Sequence, residues 1–315
     1  MKYILIIGAK SELGIELARL YASNQYNLYL AGRSINDMQD EADYLERTFN
    51  IKVILSELDV TDFISHHKFY ESMVIKPIGV IYAAGYYPDP FLVTSNWKES
   101  ANAINVNYAG AVSLLNIMAE EFYQYKSGFI VGIASVSGVR GRSKNYIYGS
   151  SKAALITYLS GLRNKLDKSE VGVLTVISGY VQTKRSPKNG LSKSLVIHPK
   201  KLAKKIFIAQ QEQKSIIYSS YVWRIIMFII KILPESIFKK LNRYFLVKYE
   251  DLVSNTEQTF IEILKFIYML GNSKPKIDNN KLKNTVKSTS FNLMQKLKKE
   301  KGFKEAIKDI NIKLR

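Results

Sequence analysis

The sequence contains no cysteine and only three histidines among its 315 residues. The lack of cysteine excludes disulfide bonds and thiolate chemistry. The histidines, at positions 66, 67 and 198, are too few and too poorly spaced for a zinc site, so no metal is predicted. The first apolar run, residues 3–7, falls short of the ~7–15 apolar residues of a signal peptide. We interpret it as a buried first strand and predict a cytoplasmic protein.

The chain has few acidic residues relative to basic ones: 27 Asp+Glu against 46 Lys+Arg, for a formal net charge of +19. The excess is local. Residues 1–183 hold 17 basic and 17 acidic side chains, residues 184–243 hold 14 and 2, and residues 244–315 hold 15 and 8. A uniformly basic nucleic-acid-binding protein is therefore disfavoured, and the basic part carries no nucleic-acid-binding motif. No nucleic-acid partner is predicted.

Through the first two hundred residues, short apolar runs alternate with segments of helical periodicity. This order is typical of an α/β protein with a Rossmann-type, doubly wound parallel sheet. The predicted strands are residues 3–7, 27–31, 52–57, 79–82, 128–133 and 171–177, with an edge strand at 216–219. The predicted helices are residues 13–23, 38–49, 97–123, 148–167 and 199–211.

The character of the chain changes at residue 221. Residues 221–243 are strongly apolar at first, but Arg224 and Lys231 interrupt the run, and ~20 apolar residues are needed to span a membrane. Two interpretations stay open. The segment is either a helix that binds the inner, anionic surface of the membrane, or a buried helix that covers the substrate cleft. Residues 244–315 are predicted to form a small, mostly helical C-terminal extension.

A glycine turn at residues 8–14 follows the first predicted strand and opens a helix. Such a turn lets backbone N–H groups at a helix N-terminus meet a pyrophosphate. Glu12 stands where a middle glycine is usual, so an ordinary strand–helix turn is the alternative. The candidate cofactor-binding residues in this turn are Gly8, Lys10, Ser11, Leu13 and Gly14.

Arg33 follows the second predicted strand. A site for NAD usually has an acidic residue there, whereas an arginine accommodates the 2′-phosphate of NADP. Together with Lys10, Arg33 favours NADP, with NAD as the alternative; a solvated surface arginine would have no such role.

The strongest motif is Ser135 followed by Tyr148 and Lys152. Tyr148 and Lys152 are four residues apart and lie on one face of a helix. A free tyrosine has a pKa near ~10, and an ammonium one turn away stabilises its phenolate, which lowers that pKa. Ser135 ends a strand and can donate a hydrogen bond to a carbonyl oxygen. A tyrosine and a lysine at this spacing also occur by chance, but the order after a glycine turn favours catalysis.

With these motifs in this order, residues 1–240 resemble the short-chain dehydrogenase/reductase family. The resemblance implies an oxidoreductase in which Tyr148 protonates the substrate oxygen while the nicotinamide delivers hydride. Lys152 would also hold the ribose, Ser135 would orient the carbonyl, and Asn107 would anchor a water in a proton relay. The further cofactor-binding residues that the resemblance implies are Asp59, Val60, Ala83, Ala84, Gly85, Val181 and Thr183. A homo-oligomer is also predicted.

Two narrower resemblances suggest a substrate and a second unit. The first part is similar to bacterial reductases of surface-glycan synthesis, including those that act on lipid-linked keto-sugars, with the substrate pocket shaped by loops 139–145 and 186–198. The tail resembles the C-terminal part of a sulfotransferase, where Thr289, Ser290 and Phe291 would meet the adenine of the sulfate donor. The donor-phosphate loop of that family is missing from the sequence, so no sulfuryl transfer is expected. The competing hypotheses are a sulfotransferase-related fusion and a catalytically idle module bound to membranes.

Overall fold

The computed structural model describes residues 2–183, 195–236 and 238–239. Its strands are β1 (Tyr3–Ile7), β2 (Asn27–Gly32), β3 (Val53–Glu57), β4 (Gly79–Tyr82), β5 (Phe129–Ser135), β6 (Gly172–Ser178), β7 (Tyr180–Val181), β8 (Val196–Ile197) and β9 (Ile216–Tyr218). Its α-helices are α1 (Glu12–Ser23), α2 (Gln39–Phe49), α3 (Ser65–Glu71), α4 (Trp97–Ile104), α5 (Gly110–Tyr125), α6 (Tyr146–Leu166), α7 (Pro199–Gln211) and α8 (Tyr221–Ile232).

Seven strands form one parallel sheet in the order β3-β2-β1-β4-β5-β6-β9. The central strands are apolar throughout because helices cover both faces of the sheet. In β1, Leu5 and Ile7 pack with α5 and α6, whereas Ile4 and Ile6 pack with α1 and α7. The predicted doubly wound, Rossmann-type α/β fold is confirmed.

The predicted helix over residues 97–123 is wrong as a single element. The structure divides it into α4, a π-helical turn at Asn105–Ala109, and α5. In this turn the Val106 carbonyl accepts a hydrogen bond from the hydroxyl of the fully buried Tyr82 (2.5 Å). A side chain that inserts at a helix carbonyl is a known cause of such interruptions, and the apolar period of residues 97–123 does not reveal it. Asn107 lies in this turn, where its side chain hydrogen-bonds to the backbone of Tyr86.

The other elements predicted before residue 221 agree with the structure to within two residues at each end, and the predicted edge strand is β9. The helix expected over residues 221–243 is shorter, since α8 ends at Ile232 and the extended Leu233 precedes Pro234. The short helix α3 and the strand pair β7–β8 were not predicted, because seven-residue and two-residue elements leave little periodicity to detect. The predicted extension over residues 244–315, with Thr289, Ser290 and Phe291, lies outside the described residues, as does most of the predicted loop 186–198.

One face of α8 packs against the loop that follows β6. Trp223 is fully buried, and its Nε1 donates to the Leu195 carbonyl (2.9 Å). Gly179 makes this packing possible, since a Cβ on that residue would lie 2.0 Å from Trp223 Nε1. The opposite face of α8 is exposed at Ile232. Within the described part of the chain, no helix is long and apolar enough to cross a bilayer.

We expect Trp223→Ala to destabilise the fold strongly, because it removes a buried ring together with its hydrogen bond. The expected cost is about 3–5 kcal/mol, with a fall in Tm of roughly 10 °C, measured by urea titration and thermal denaturation. Ile232→Ala on the exposed face of the same helix is the control and should change stability by less than about 0.5 kcal/mol. Equal effects of the two substitutions would contradict the one-sided packing of α8.

Candidate active site

The glycine turn between β1 and α1 is packed so closely that two of its positions have no room for a side chain. Gly8 has a φ of 83°, and a Cβ on it would lie 2.5 Å from the Ala84 backbone nitrogen. A Cβ on Gly14 would lie 2.6 Å from the Gly8 carbonyl oxygen. Ser11 caps α1 by accepting from Gly14 N (3.0 Å) and donates to the Gly8 carbonyl (2.8 Å). Leu13 is buried beneath the turn. This is the backbone cradle that a dinucleotide pyrophosphate requires.

Charged side chains of both signs meet where β2 ends. Arg33 is exposed there, and Lys10 reaches across from the glycine turn to donate to the Ser34 carbonyl (2.9 Å) and to pair with Asp37. Glu57 accepts from the backbone N–H groups of Ser34 (2.8 Å) and Ile35 (3.0 Å). The structure therefore brings the two predicted cations to the same corner, together with two carboxylates.

Asp59 follows β3, with Val60 buried behind it. Its carboxylate accepts from the Thr61 backbone N–H (2.9 Å) and hydroxyl (2.7 Å). Burial raises the pKa of Asp59, but these hydrogen bonds and the charge of Arg33 outweigh burial, so the pKa lies below its usual value. Asp59 is thus an anion close to Arg33 at neutral pH.

The segment after β4 connects the glycine turn to the catalytic helix. Ala83 and Ala84 lie against Gly8, and a Cβ on Gly85 would lie 3.8 Å from Lys152 Nζ. Asn107 holds the next residue, since its side chain accepts from Tyr86 N (2.9 Å) and donates to Tyr86 O (2.8 Å) and to Ser151 Oγ (3.1 Å). Asn107 is therefore a positioning residue for this loop, and its part in a water relay stays a prediction.

The three predicted catalytic side chains meet where β5 ends and α6 begins. Ser135 is the last residue of β5, and its hydroxyl lies near enough to the Tyr148 hydroxyl to lower the pKa of that tyrosine. One turn further along α6, the buried Lys152 donates to the Ile133 carbonyl (2.9 Å). The structure therefore brings Ser135, Tyr148 and Lys152 to one place, and their catalytic roles stay predictions.

Burial dominates the protonation of the catalytic pair. It raises the pKa of Tyr148, an effect that the hydrogen bond from Ser135 reduces but does not cancel. Burial also lowers the pKa of Lys152 to about 8. The expected lowering of the Tyr148 pKa by Lys152 stays a prediction, and burial is the largest influence on that pKa in the structure. At pH 7 Tyr148 is a neutral acid and Lys152 is mostly an ammonium, which is the pair that can donate a proton and then stabilise the phenolate.

A cavity of about 420 Å³ opens beside Tyr148. Aromatic rings, prolines and small uncharged side chains line it: Tyr87, Pro88, Pro90, Phe91, Val93, Ser143, Asn145, Tyr146, Ile147 and Tyr148. The Tyr87 ring lies 4.8 Å from the Tyr148 ring, centroid to centroid. Glu99 fixes this wall by accepting from the Tyr86 hydroxyl (2.6 Å) and from Asp89 N (3.2 Å). A volume of this size next to a proton donor suits an organic substrate.

The predicted loop 139–145 forms the other side of the cavity. Ser137, just after β5, donates through its backbone N–H to Ser135 Oγ (3.2 Å). The Ser137 hydroxyl oxygen accepts from Arg142 Nη2 (2.9 Å) and from Asn145 Nδ2 (3.0 Å). One serine thus connects the catalytic Ser135 to the loop.

The last predicted cofactor-binding residues lie in the segment after β6. Val181 lies in β7, paired with Ile197, and Thr183 follows two residues later. Sequence reasoning missed Trp223, which supports this segment from α8, and missed Tyr87, Phe91 and Glu99 on the wall after β4. The Tyr-Tyr-Pro-Asp-Pro run at residues 86–90, directly after the expected ribose motif, was the available signal for that wall.

Relatives and solved structures match this chain over most of its length. The chain is 28% identical over 244 residues to an uncharacterized oxidoreductase of Mycobacterium tuberculosis, covering 76% of this chain and 97% of the relative. Its fold is similar to a short-chain dehydrogenase from Sphingobium yanoikuyae in complex with NADPH (TM-score 0.64, 20% identity, covering 75% and 97% of the two chains).

It is also similar to the bulky-bulky ketone specific alcohol dehydrogenase from Comamonas testosteroni (TM-score 0.63, 20% identity, covering 75% and 96%). A family model described as short chain dehydrogenase matches residues 2–192, which is about three-fifths of the chain. The chain therefore belongs to the short-chain dehydrogenase/reductase family of oxidoreductases.

Proposed function

We propose that the protein is an NADP-dependent carbonyl reductase. The observation that carries this proposal is a half-buried, neutral Tyr148 that stands with Ser135 where β5 ends, one turn from the buried Lys152 and beside an organic-sized cavity. Ser135 orients the substrate carbonyl, Tyr148 gives its proton to the carbonyl oxygen, and the ammonium of Lys152 stabilises the resulting phenolate. The bound nicotinamide supplies the hydride.

The same residues define where the cofactor would be held. The glycine turn, with Gly8, Ser11, Leu13 and Gly14, fits the pyrophosphate because it leads directly into the N-terminus of α1 and has no room for side chains at Gly8 and Gly14. Lys10 and Arg33 fit a 2′-phosphate, and NADPH in the Sphingobium structure is consistent with this preference. NAD is the alternative, since Asp37 and Glu57 stand in the same corner. The remaining contacts are assigned to Asp59 and Val60 (adenine), Ala83, Ala84 and Gly85 (ribose side), and Val181 and Thr183 (nicotinamide side).

For the substrate we propose a keto-sugar, either free or lipid-linked, in cell-surface glycan synthesis. Supporting this proposal, Tyr87, Phe91 and Tyr146 offer aromatic faces to the cavity, and such faces pack against the C–H groups of a ring. None of the ten residues that line the cavity carries a charged side chain. A charged phosphate would therefore lie outside this cavity, as it would in a lipid-linked sugar whose ring alone enters.

We further propose that α8 brings the protein to an anionic membrane surface. Helical geometry places Ile225 and Ile232 on the face opposite Trp223, with Arg224 and Lys231 at its edge. An apolar stripe flanked by basic residues is typical of interfacial helices. The two earlier interpretations of this segment are therefore compatible, because one face is buried and the other is apolar and accessible at Ile232.

The sulfotransferase-like tail and the homo-oligomer stay predictions. Because the sequence has no donor-phosphate loop, we assign the tail no transfer reaction.

We expect Tyr148→Phe to lower NADPH oxidation with ketone substrates by about 10²–10⁴-fold, because it removes the general acid. Tyr158→Phe on the same helix is the control, since its hydroxyl donates to Asn116 (2.8 Å) on the neighbouring helix α5. NADPH fluorescence should show that both variants still bind cofactor. Retained turnover in Tyr148→Phe would contradict the catalytic assignment. A wild-type protein that binds NADPH but reduces no ketone would favour the idle-module hypothesis.

We expect Arg33→Asp to shift the ratio of kcat/KM for NADPH to that for NADH on the order of 10- to 100-fold toward NADH, because a charged hydrogen-bond partner of the 2′-phosphate is lost. Arg47→Asp, an equal change of charge on α2, should leave the ratio unchanged. The ratio comes from steady-state kinetics with both cofactors. If both variants keep the wild-type ratio, Arg33 has no part in cofactor choice.

We expect the double variant Arg224→Gln/Lys231→Gln to bind vesicles of phosphatidylglycerol and phosphatidylcholine on the order of tenfold more weakly in co-sedimentation, since each basic residue contributes about 1 kcal/mol at an anionic surface. The control is Lys52→Gln/Lys68→Gln, which removes the same charge from exposed positions elsewhere. Equal losses in the two double variants would mean that only net charge matters, and no binding by the wild type would end the membrane proposal.

A further inference from the structure

Asn145 is a polar residue of the cavity whose hydrogen bonding is only half satisfied. Its Nδ2 donates to Ser137 Oγ, but its Oδ1 is shielded from solvent and has no hydrogen-bond partner among the residues that the structure describes. A buried acceptor without a donor is unfavourable, and native proteins keep very few of them. Its presence in the wall of a substrate cavity indicates that a ligand supplies the donor.

The position of Asn145 limits where that donor can be. Asn145 lies three residues before Tyr148, immediately before α6, and both residues line the same cavity. Ser137 fixes the orientation of the Asn145 amide and also donates to Ser135 Oγ. Ser137 and the start of α6 thus fix the position of Asn145 Oδ1 relative to the hydroxyls of Ser135 and Tyr148, which are proposed to bind the reacting carbonyl.

The rest of the cavity excludes several kinds of donor. Among its ten lining residues there is no carboxylate to receive an ammonium group of the substrate and no cationic side chain to receive a phosphate or carboxylate. The aromatic faces of Tyr87, Phe91 and Tyr146 favour an uncharged carbon ring. A hydroxyl on such a ring is the donor that fits an amide oxygen in these surroundings.

We propose that Asn145 is a specificity-determining residue that accepts a hydrogen bond from a substrate hydroxyl, so that the enzyme selects uncharged hydroxy ketones over ketones without that hydroxyl. This inference rests on the proposed carbonyl reduction and narrows its substrate class. The product is a diol: the carbonyl carbon gains hydride from the reduced nicotinamide, and the former carbonyl oxygen gains the Tyr148 proton as the C=O π bond breaks. The recognised hydroxyl itself is unchanged by the reaction.

The test compares matched ketones with and without the donor. The full-length enzyme is assayed with NADPH and with 2-, 3- and 4-hydroxycyclohexanone, each against the methylcyclohexanone of the same substitution, which has similar size. For at least one pair we expect kcat/KM to favour the hydroxy ketone by roughly 10- to 100-fold. Binding of the same pairs to the NADP⁺-loaded enzyme is measured by titration calorimetry.

Two variants of Asn145 separate its acceptor from its donor. Asn145→Leu keeps the size but removes the acceptor, so the hydroxyl preference should fall to about one. Asn145→Asp keeps acceptor oxygens and should retain the preference. NADPH binding and Tm, measured for both variants, show that each is folded, and the result is taken as a ratio between paired substrates, which a general loss of activity leaves unchanged.

The outcomes distinguish this inference from the proposed function. Equal turnover of hydroxy and methyl ketones by the wild type overturns the role of Asn145 while carbonyl reduction stands, and so does a preference that survives in Asn145→Leu. A preference seen in calorimetry without any turnover supports the role of Asn145 and contradicts carbonyl reduction. If the cofactor-loaded enzyme binds none of the hydroxy ketones, the inference is also overturned.

Discussion

The site depends on the close approach of two backbone segments after β1 and β4. The turn at Gly8 lies so near Ala84 that no side chain fits between them, and Gly14 seats α1 against the same turn. Because parallel strands end at one edge of the sheet, this contact fixes the start of α1 relative to the segment that leads to Gly85 and Lys152. A larger residue at Gly8 would separate the cofactor cradle from the catalytic helix.

Burial then determines the chemistry that this framework supports. The half-buried Tyr148 keeps its proton, and the buried Lys152 has a pKa of about 8. The pair is therefore set to donate a proton rather than to remove one at neutral pH. The same low-polarity surroundings extend into the cavity, where the unpaired oxygen of Asn145 is the exception. Burial in low-polarity surroundings therefore underlies both the proton donation by Tyr148 and the proposed choice of substrate.

The sequence predicts those parts of the molecule that repeat or that have a fixed spacing. Apolar runs identify the strands of the sheet, and the interval between Tyr148 and Lys152 identifies the catalytic face of α6. The interruption at Asn105–Ala109 was missed because its cause is a contact with Tyr82, more than twenty residues earlier. The raised pKa of Tyr148 was missed because burial is a property of the packed fold, whereas spacing shows only the neighbouring charge.

The packing of Trp223 gives the protein an optical property. The chain has two tryptophans, of which Trp97 is 73% exposed and Trp223 is fully enclosed against Gly179. Their surroundings differ enough to separate their emission, with the enclosed indole at shorter wavelength than the solvated one. Trp223 touches the segment that leads to Val181 and Thr183, so its emission would follow movements of that segment without any attached label.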